Sequence, residues 1–275
     1  MAPQARAKGG ASPLQRRIGL KDTLVMIHGM WSDDTVWDGY KEYFEAKGYR
    51  CVVPVLRYHK ADPRSEPNPE LGHTSLLDYQ EDVERELQEL TSRPILVGHS
   101  MGGLLAQMLA AKGLAKAIVL LAPVPPSGLV VFDASVAKAC SGILKTWGFW
   151  HKPIRQPPEQ AASYLFNLLP DDQKRQRYEK LVPESGRAFF EFAFWYLDRR
   201  RASSVDESRV TCPVLVVAGE QDKITPAPLV AKVANKYRTV STYRAFANHA
   251  HWLVEEPEWE EVAECINGWL QATLV

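Results

Sequence analysis

No sign of charge prevails in this chain of 275 residues, where 33 Lys and Arg are balanced by 33 Asp and Glu. A net charge of zero leaves no electrostatic footprint for a nucleic-acid partner, which calls for a strongly basic excess. Long apolar runs are missing too, and none approaches the roughly 18 residues of a membrane span. Cysteine is scarce. Cys51, Cys140, Cys212 and Cys265 form no C-x-x-C pair, which removes zinc ribbons and thioredoxin-like redox sites. Cys51 and Cys212 each open an apolar strand-like run, and Cys265 lies on the apolar stripe of a helical pattern. Buried free thiols are expected, a usage that fits a reducing compartment and a cytoplasmic protein.

The first residues lack an apolar core and are poor in serine. Arg6, Lys8, Arg16, Arg17 and Lys21 precede the first acid, Asp22, and Gly9, Gly10, Pro13 and Gln15 interrupt any apolar stretch. A secretory signal needs that stretch, and a transit peptide needs more serine than Ser12 alone. Residues 1–21 are expected to form a flexible tail.

What is present is globular. Hydrophobic residues make up 45% and charged residues 24%, values that exclude a wholly disordered chain. From Asp22 onward, strand-like and helix-like segments alternate. Strands are expected at Leu24–His28, Cys51–Leu56, Pro94–Gly98, Ala117–Ala122, Pro213–Ala218 and Ser241–Phe246. Helices are expected over residues 75–90, with Ser75 and Asp78 as a capping box, and over Met101–Ala110. A last helix is expected from about Pro257, a favoured first helical position. Apolar strands separated by helices imply an α/β architecture, a mostly parallel sheet with helices on both faces. About 80 residues separate the fourth and fifth strands, too many for one crossover. Residues 124–205 are therefore expected to be an inserted helical cap, with 22–123 and 206–275 forming the core.

Gly98-His99-Ser100-Met101-Gly102 fits G-x-S-x-G at a predicted strand-to-helix junction, the context in which that motif presents a nucleophile. A serine hydroxyl needs a base to take its proton and a carboxylate to orient that base. Asp222, in Gly219-Glu-Gln-Asp222, follows the fifth strand, with Glu220 as its rival. His249 and His251 both follow the sixth strand. Developing alkoxide charge needs two backbone N–H donors. Met101, which starts the helix, supplies one, and Met30 the other, with Trp31 as the alternative if the turn shifts by one residue.

These segments resemble the α/β-hydrolase superfamily from Asp22 to the C-terminus. The likeness rests on His28-Gly29 after the first strand, the Gly98–Gly103 elbow, the Gly219–Pro226 acid loop and the His251-Trp252-Leu253 ending. It implies Ser100 as nucleophile, Asp222 as acid and, because the base in similar enzymes precedes an aromatic residue, His251 rather than His249. It implies an α/β-hydrolase fold and a cap-bearing serine esterase acting on a small-molecule carboxylic ester with an apolar acyl or aryl portion. No metal or organic cofactor is required. The same scaffold also hosts C–C hydrolases, lyases and ligand-binding receptors. Trp31, Trp147, Phe190, Phe194 and Trp195 are the expected pocket aromatics, the last three on a segment over 187–198 whose aromatics run almost all round a helix. His99 is expected beside the elbow and His28 in the first loop. His59, His73 and His151 are expected at the surface or in the cap.

Overall fold

The computed structural model describes residues 22–129 and 134–274. The expected tail, residues 1–21, lies outside them. In chain order the first half holds β1 (Thr23–Ile27), α1 (Asp38–Ala46), β2 (Arg50–Val52), α2 (Leu76–Gln88), β3 (Ile95–His99), α3 (Met101–Ala111) and β4 (Ala117–Leu121). An insert follows, with α4 (Ala134–Leu144), β5 (Pro153–Ile154), the short α5 (Pro158–Gln160), α6 (Asp171–Tyr178), β6 (Glu184–Ser185) and α7 (Gly186–Ala193). The chain then returns through β7 (Val214–Gly219), α8 (Ala227–Lys236), β8 (Ser241–Phe246) and α9 (Trp259–Thr273).

Six strands form one sheet in the order β2-β1-β3-β4-β7-β8, parallel at every neighbour. Every residue of β3 and β4 is buried. Successive side chains point to opposite faces, so both faces of the sheet are covered. The cover comes from α2 packed on α3, α1 packed on α9, and α8 on β7 and β8. This is the α/β-hydrolase fold with helices of a cap inserted after β4. The chain leaves β1 toward β2, then crosses to the other side of β1 for β3. Such a reversal opens a crevice beyond the carboxyl ends of the strands, where α/β sheets bind ligands.

Local chemistry sets several boundaries. Ser75 caps α2, and the Asp78 carboxylate accepts the Ser75 N–H at 2.8 Å, a box worth about 1 kcal/mol. Strand β2 ends at Val52 instead of running to Leu56, because Pro54 has no N–H to give a ladder. Helix α9 begins at Trp259, not Pro257, since Glu258 stands in the left-handed region at φ 64°. The aromatic helix stops at Ala193, and the chain turns through Phe194 to Leu197.

The insert is tied to the core by a buried polar cluster that local sequence patterns did not indicate. Strands β5 and β6 form a small antiparallel ladder. Glu184 of β6 accepts from His59 Nε2 at 3.1 Å and from the Tyr79 hydroxyl at 2.5 Å, and all three side chains are fully buried. His59 is thus interior, not a surface residue. Its Nδ1 donates to the Arg57 carbonyl at 3.0 Å. Acceptors on both nitrogens demand an imidazolium. Burial opposes that charge, but the Glu184 carboxylate outweighs it and raises the His59 pKa. Burial likewise opposes charge on Glu184, yet His59 and the donated hydrogen bonds hold its carboxyl below the ordinary range. The neighbouring His28 ring, 5.0 Å away, is the neutral partner, with its pKa lowered to about 4 by burial and then by His59.

All four cysteines are free and half-buried rather than fully buried. Burial pushes the Cys51 thiol up to about 12 and the Cys140 thiol to about 11, so both stay protonated and unreactive. Among the described residues no helix is long and apolar enough to cross a membrane. No group of three or more His, Cys, Asp or Glu among them could hold a metal ion.

Candidate active site

Ser100 stands between β3 and α3 at φ 54°, ψ −117°, a backbone conformation that costs a non-glycine residue on the order of 1–3 kcal/mol. The turn is tight because its neighbours have no Cβ. A Cβ on Gly98 would lie 2.2 Å from the Gly102 carbonyl oxygen, and one on Gly102 would lie 2.1 Å from that of Ile27. The structure therefore requires glycine at both flanks of the motif.

His251 Nε2 accepts a hydrogen bond from Ser100 Oγ at 3.1 Å, and its Nδ1 donates to Asp222 Oδ2 at 2.8 Å. All three side chains are buried. Asp222 Oδ1 also accepts the N–H groups of Ile224 and Thr225, at 2.7 and 2.9 Å, and Oδ2 accepts the Thr225 hydroxyl at 2.8 Å. Burial opposes the charge on Asp222, but His251 and these donors hold its carboxyl below the ordinary carboxylate range. It therefore serves as an ionised acceptor that fixes the imidazole with its proton on Nδ1 and its lone pair toward Ser100. The rival acid Glu220 is exposed.

His249 does not reach Ser100; its Nδ1 lies 3.3 Å from Glu256 Oε2. Glu256 escaped the sequence reading. Its carboxylate accepts the N–H of Ala250 at 2.8 Å and of Trp252 at 2.9 Å, the two residues flanking His251. Thr225 escaped it too. His99 packs at a ring-centroid distance of 5.0 Å from His251 and donates from Nε2 to the His251 carbonyl at 2.8 Å. Burial, then the neighbouring His251, lowers the His99 pKa to about 3, which keeps that ring neutral.

The loop after β1 approaches the elbow closely, since a Cβ on Gly29 would lie 3.0 Å from Ser100 Cβ. Among the described residues no loop or turn hydrogen bond uses the N–H of Met30 or of Met101. Both donors are open to an oxygen on a group held at Ser100.

Above these residues lies a cavity of about 400 Å³ whose lining includes Ser100, His251, Met30 and Trp31. Its walls are apolar, with Leu129, Ile143, Phe189, Phe192, Phe194 and Trp195 among them. Of the aromatics singled out in the sequence, Trp31, Phe194 and Trp195 line the cavity. Trp147 and Phe190 do not. Trp147 is 85% exposed, three residues past the end of α4, and Phe190 turns to Trp150 and to the Arg187 guanidinium, 5.8 Å from its ring centroid. Phe189 and Phe192 take the wall instead. The polar Gln156 also lines the cavity, its Nε2 held by the Ala139 carbonyl at 3.0 Å.

A family model described as "Alpha/beta hydrolase family" matches residues 24–264. A comparison with curated proteins finds no match. Solved structures of similar fold include a pyrethroid hydrolase from Sphingobium faniae, 17% identical, with a TM-score of 0.68 over 91% of this chain and 98% of that one. An esterase from Exiguobacterium antarcticum is 16% identical, with a TM-score of 0.68 over 92% and 93% of the two chains. A monoacylglycerol lipase from Paleococcus ferrophilus is 22% identical, with a TM-score of 0.64 over 91% and 94%.

Proposed function

This chain belongs to the alpha/beta hydrolase family, and from that premise we propose that it is a serine hydrolase of carboxylic esters with an apolar acyl or aryl portion. The observation that carries the reading is the hydrogen-bonded line from Ser100 Oγ through His251 to Asp222 beneath an apolar cavity. The relatives of similar fold, named as esterase, lipase and pyrethroid hydrolase, support it.

In this mechanism Ser100 Oγ attacks the ester carbonyl carbon while His251 Nε2 takes the hydroxyl proton. The carbonyl oxygen becomes an oxyanion and accepts from the N–H groups of Met30 and Met101. Asp222 stabilises the imidazolium without taking its proton. The tetrahedral intermediate collapses, the C–O bond to the alcohol breaks, and His251 returns the proton to the leaving oxygen. Water, deprotonated by His251, then attacks the acyl-enzyme and releases the acid and Ser100. Residues 124–205 act as the cap that shapes the acyl or aryl pocket and supply none of the three reacting side chains.

An alkyl phosphonate ester should add one covalent group, found by peptide mass spectrometry on Ser100. Ser100→Ala should retain the fold and lose esterase kcat by on the order of 10⁴–10⁶-fold. A label on another residue, or an active Ser100→Ala, would refute the assignment. Turnover of diketones without turnover of any ester would favour C–C cleavage on the same residues.

A further inference from the structure

Exposed large apolar side chains gather on one part of the cap. Trp147 is 85% exposed, Tyr196 65%, Leu197 59% and Leu144 43%. Ring contacts connect the two stretches. Trp147 meets Trp150 at 5.4 Å, Trp150 meets Phe190 at 6.3 Å, Phe190 meets Phe194 at 5.6 Å and Phe194 meets Tyr196 at 6.4 Å. Leu144 and Tyr196 are both exposed and part of the cavity lining, so this row of rings borders the cavity mouth. A contiguous exposed apolar patch of this kind marks an interaction surface rather than ordinary surface scatter.

The exposed charges on the two stretches that carry it have one sign. Residues 134–152 contain Lys138, Lys145 and Lys152 and no acid. Residues 192–205 contain Arg199, Arg200 and Arg201, and their one acid, Asp198, is buried and bonded to Arg187 at 3.1 Å. Lys138, Lys145, Arg199, Arg200 and Arg201 are exposed and form no ion pair among the described residues. In a chain of zero net charge both stretches of the aromatic rim thus carry an excess of exposed cations. Trp and Tyr carry an apolar body and a polar tip and settle at the headgroup level of a bilayer. Lys and Arg beside them are drawn to anionic lipid.

We propose that this cap rim docks on an anionic phospholipid bilayer, with the cavity mouth turned to the lipid. Trp147, Tyr196 and Leu197 enter the interface, and the lysines and arginines meet the phosphate headgroups. The pose gives an apolar compound dissolved in the bilayer a path to the cavity that avoids water. It also gives Trp147, which lies outside the cavity, a role.

The test is co-sedimentation of the full chain with sucrose-loaded vesicles. Vesicles of phosphatidylcholine with about a third phosphatidylserine should bind it at least about tenfold more tightly than phosphatidylcholine alone, and rising salt should weaken the binding. Trp147→Ser or Leu197→Ser should lower partition by about tenfold. The combined Arg199→Gln, Arg200→Gln, Arg201→Gln variant should lose the preference for phosphatidylserine. Hydrolysis of a water-soluble acetate ester should be unchanged by Leu197→Ser and by the arginine variant, which shows that both fold. A chain that stays in the supernatant overturns the proposal. So does binding that survives in the rim variants, which would assign it to the basic residues near the start of the chain. Self-association that Trp147→Ser abolishes, without vesicle binding, would make the rim a contact between copies instead. Sedimentation needs no turnover, so its outcome is independent of whether Ser100 is labelled.

Discussion

In the proposed mechanism, Glu256 illustrates how a residue that touches no reacting atom can govern one that does. Its two oxygens hold the N–H groups on either side of His251, and a displacement of about 1 Å in a catalytic group can cost about a hundredfold in rate. Glu256→Gln keeps the size but turns a donor toward one of those N–H groups. Its kcat should fall about ten- to a hundredfold with KM little changed and circular dichroism intact. A kcat within about twofold of the parent would reduce Glu256 to a packing residue. The sequence hid it because Glu255-Glu256-Pro257-Glu258 reads as an ordinary acidic stretch. The candidate residues Ser100, Asp222 and His251, which the fold joins by hydrogen bonds, stand out in the sequence for the opposite reason: each sits beside local chemistry that marks it, in the glycines of the elbow, the Gly-x-x-Asp loop and the following tryptophan.

At the scale of elements, α7 shows where periodicity stops being informative. With aromatics almost all round, the segment gives no preferred face, and only the end of the helix at Ala193 decides which rings turn inward. Phe189 and Phe192 then face the cavity from the helix, while Phe194 and Trp195 reach it from the turn beyond. Phe190 leaves on the other side. Shortening the wall with Phe192→Ala forfeits apolar contact with a long acyl chain at about 25 cal/mol per Å². Its kcat/KM should drop about tenfold for a long-chain ester and little for acetate. Phe190→Ala should leave that ratio unchanged. An equal loss on both esters in Phe192→Ala would mean that its ring supports the cap rather than the substrate.

Over the whole molecule, the buried histidines set the pH range of stability. His28 and His99 are neutral in the fold, with pKa values lowered chiefly by burial to about 4 and about 3, whereas an unfolded imidazole titrates near ~6.5. The unfolded chain therefore binds more protons between those values. The stability these two groups provide is full above ~6.5 and lost as pH falls, by roughly 2 kcal/mol each on reaching pH ~5. His59 has the opposite sign. Its raised pKa gives a contribution complete below ~6.5 and lost as pH rises through the folded value, so it does not offset the acid loss. Urea unfolding should be most resistant near neutrality and about 4 kcal/mol weaker near pH 5. A flat profile would mean that these rings are hydrated. The mostly parallel sheet followed from apolar runs separated by helices, whereas the order of its strands, β2-β1-β3-β4-β7-β8, carries no local mark. The clamp between His59 and Glu184 was not legible either, because its members are 125 residues apart and neither carries a local motif.

That clamp bears on how such caps could be exchanged between proteins. The insert after β4 looks like a cassette, entering and leaving the sheet at β4 and β7. Yet its Glu184 is completed by His59 and Tyr79 from the receiving half. Spliced onto a core with apolar residues at those two positions, the segment would bring in a buried carboxylate with neither its cation nor its phenol, a defect of about 3–5 kcal/mol. The unit of inheritance, or of grafting in the laboratory, is therefore the cap together with two residues that precede the nucleophile in the chain.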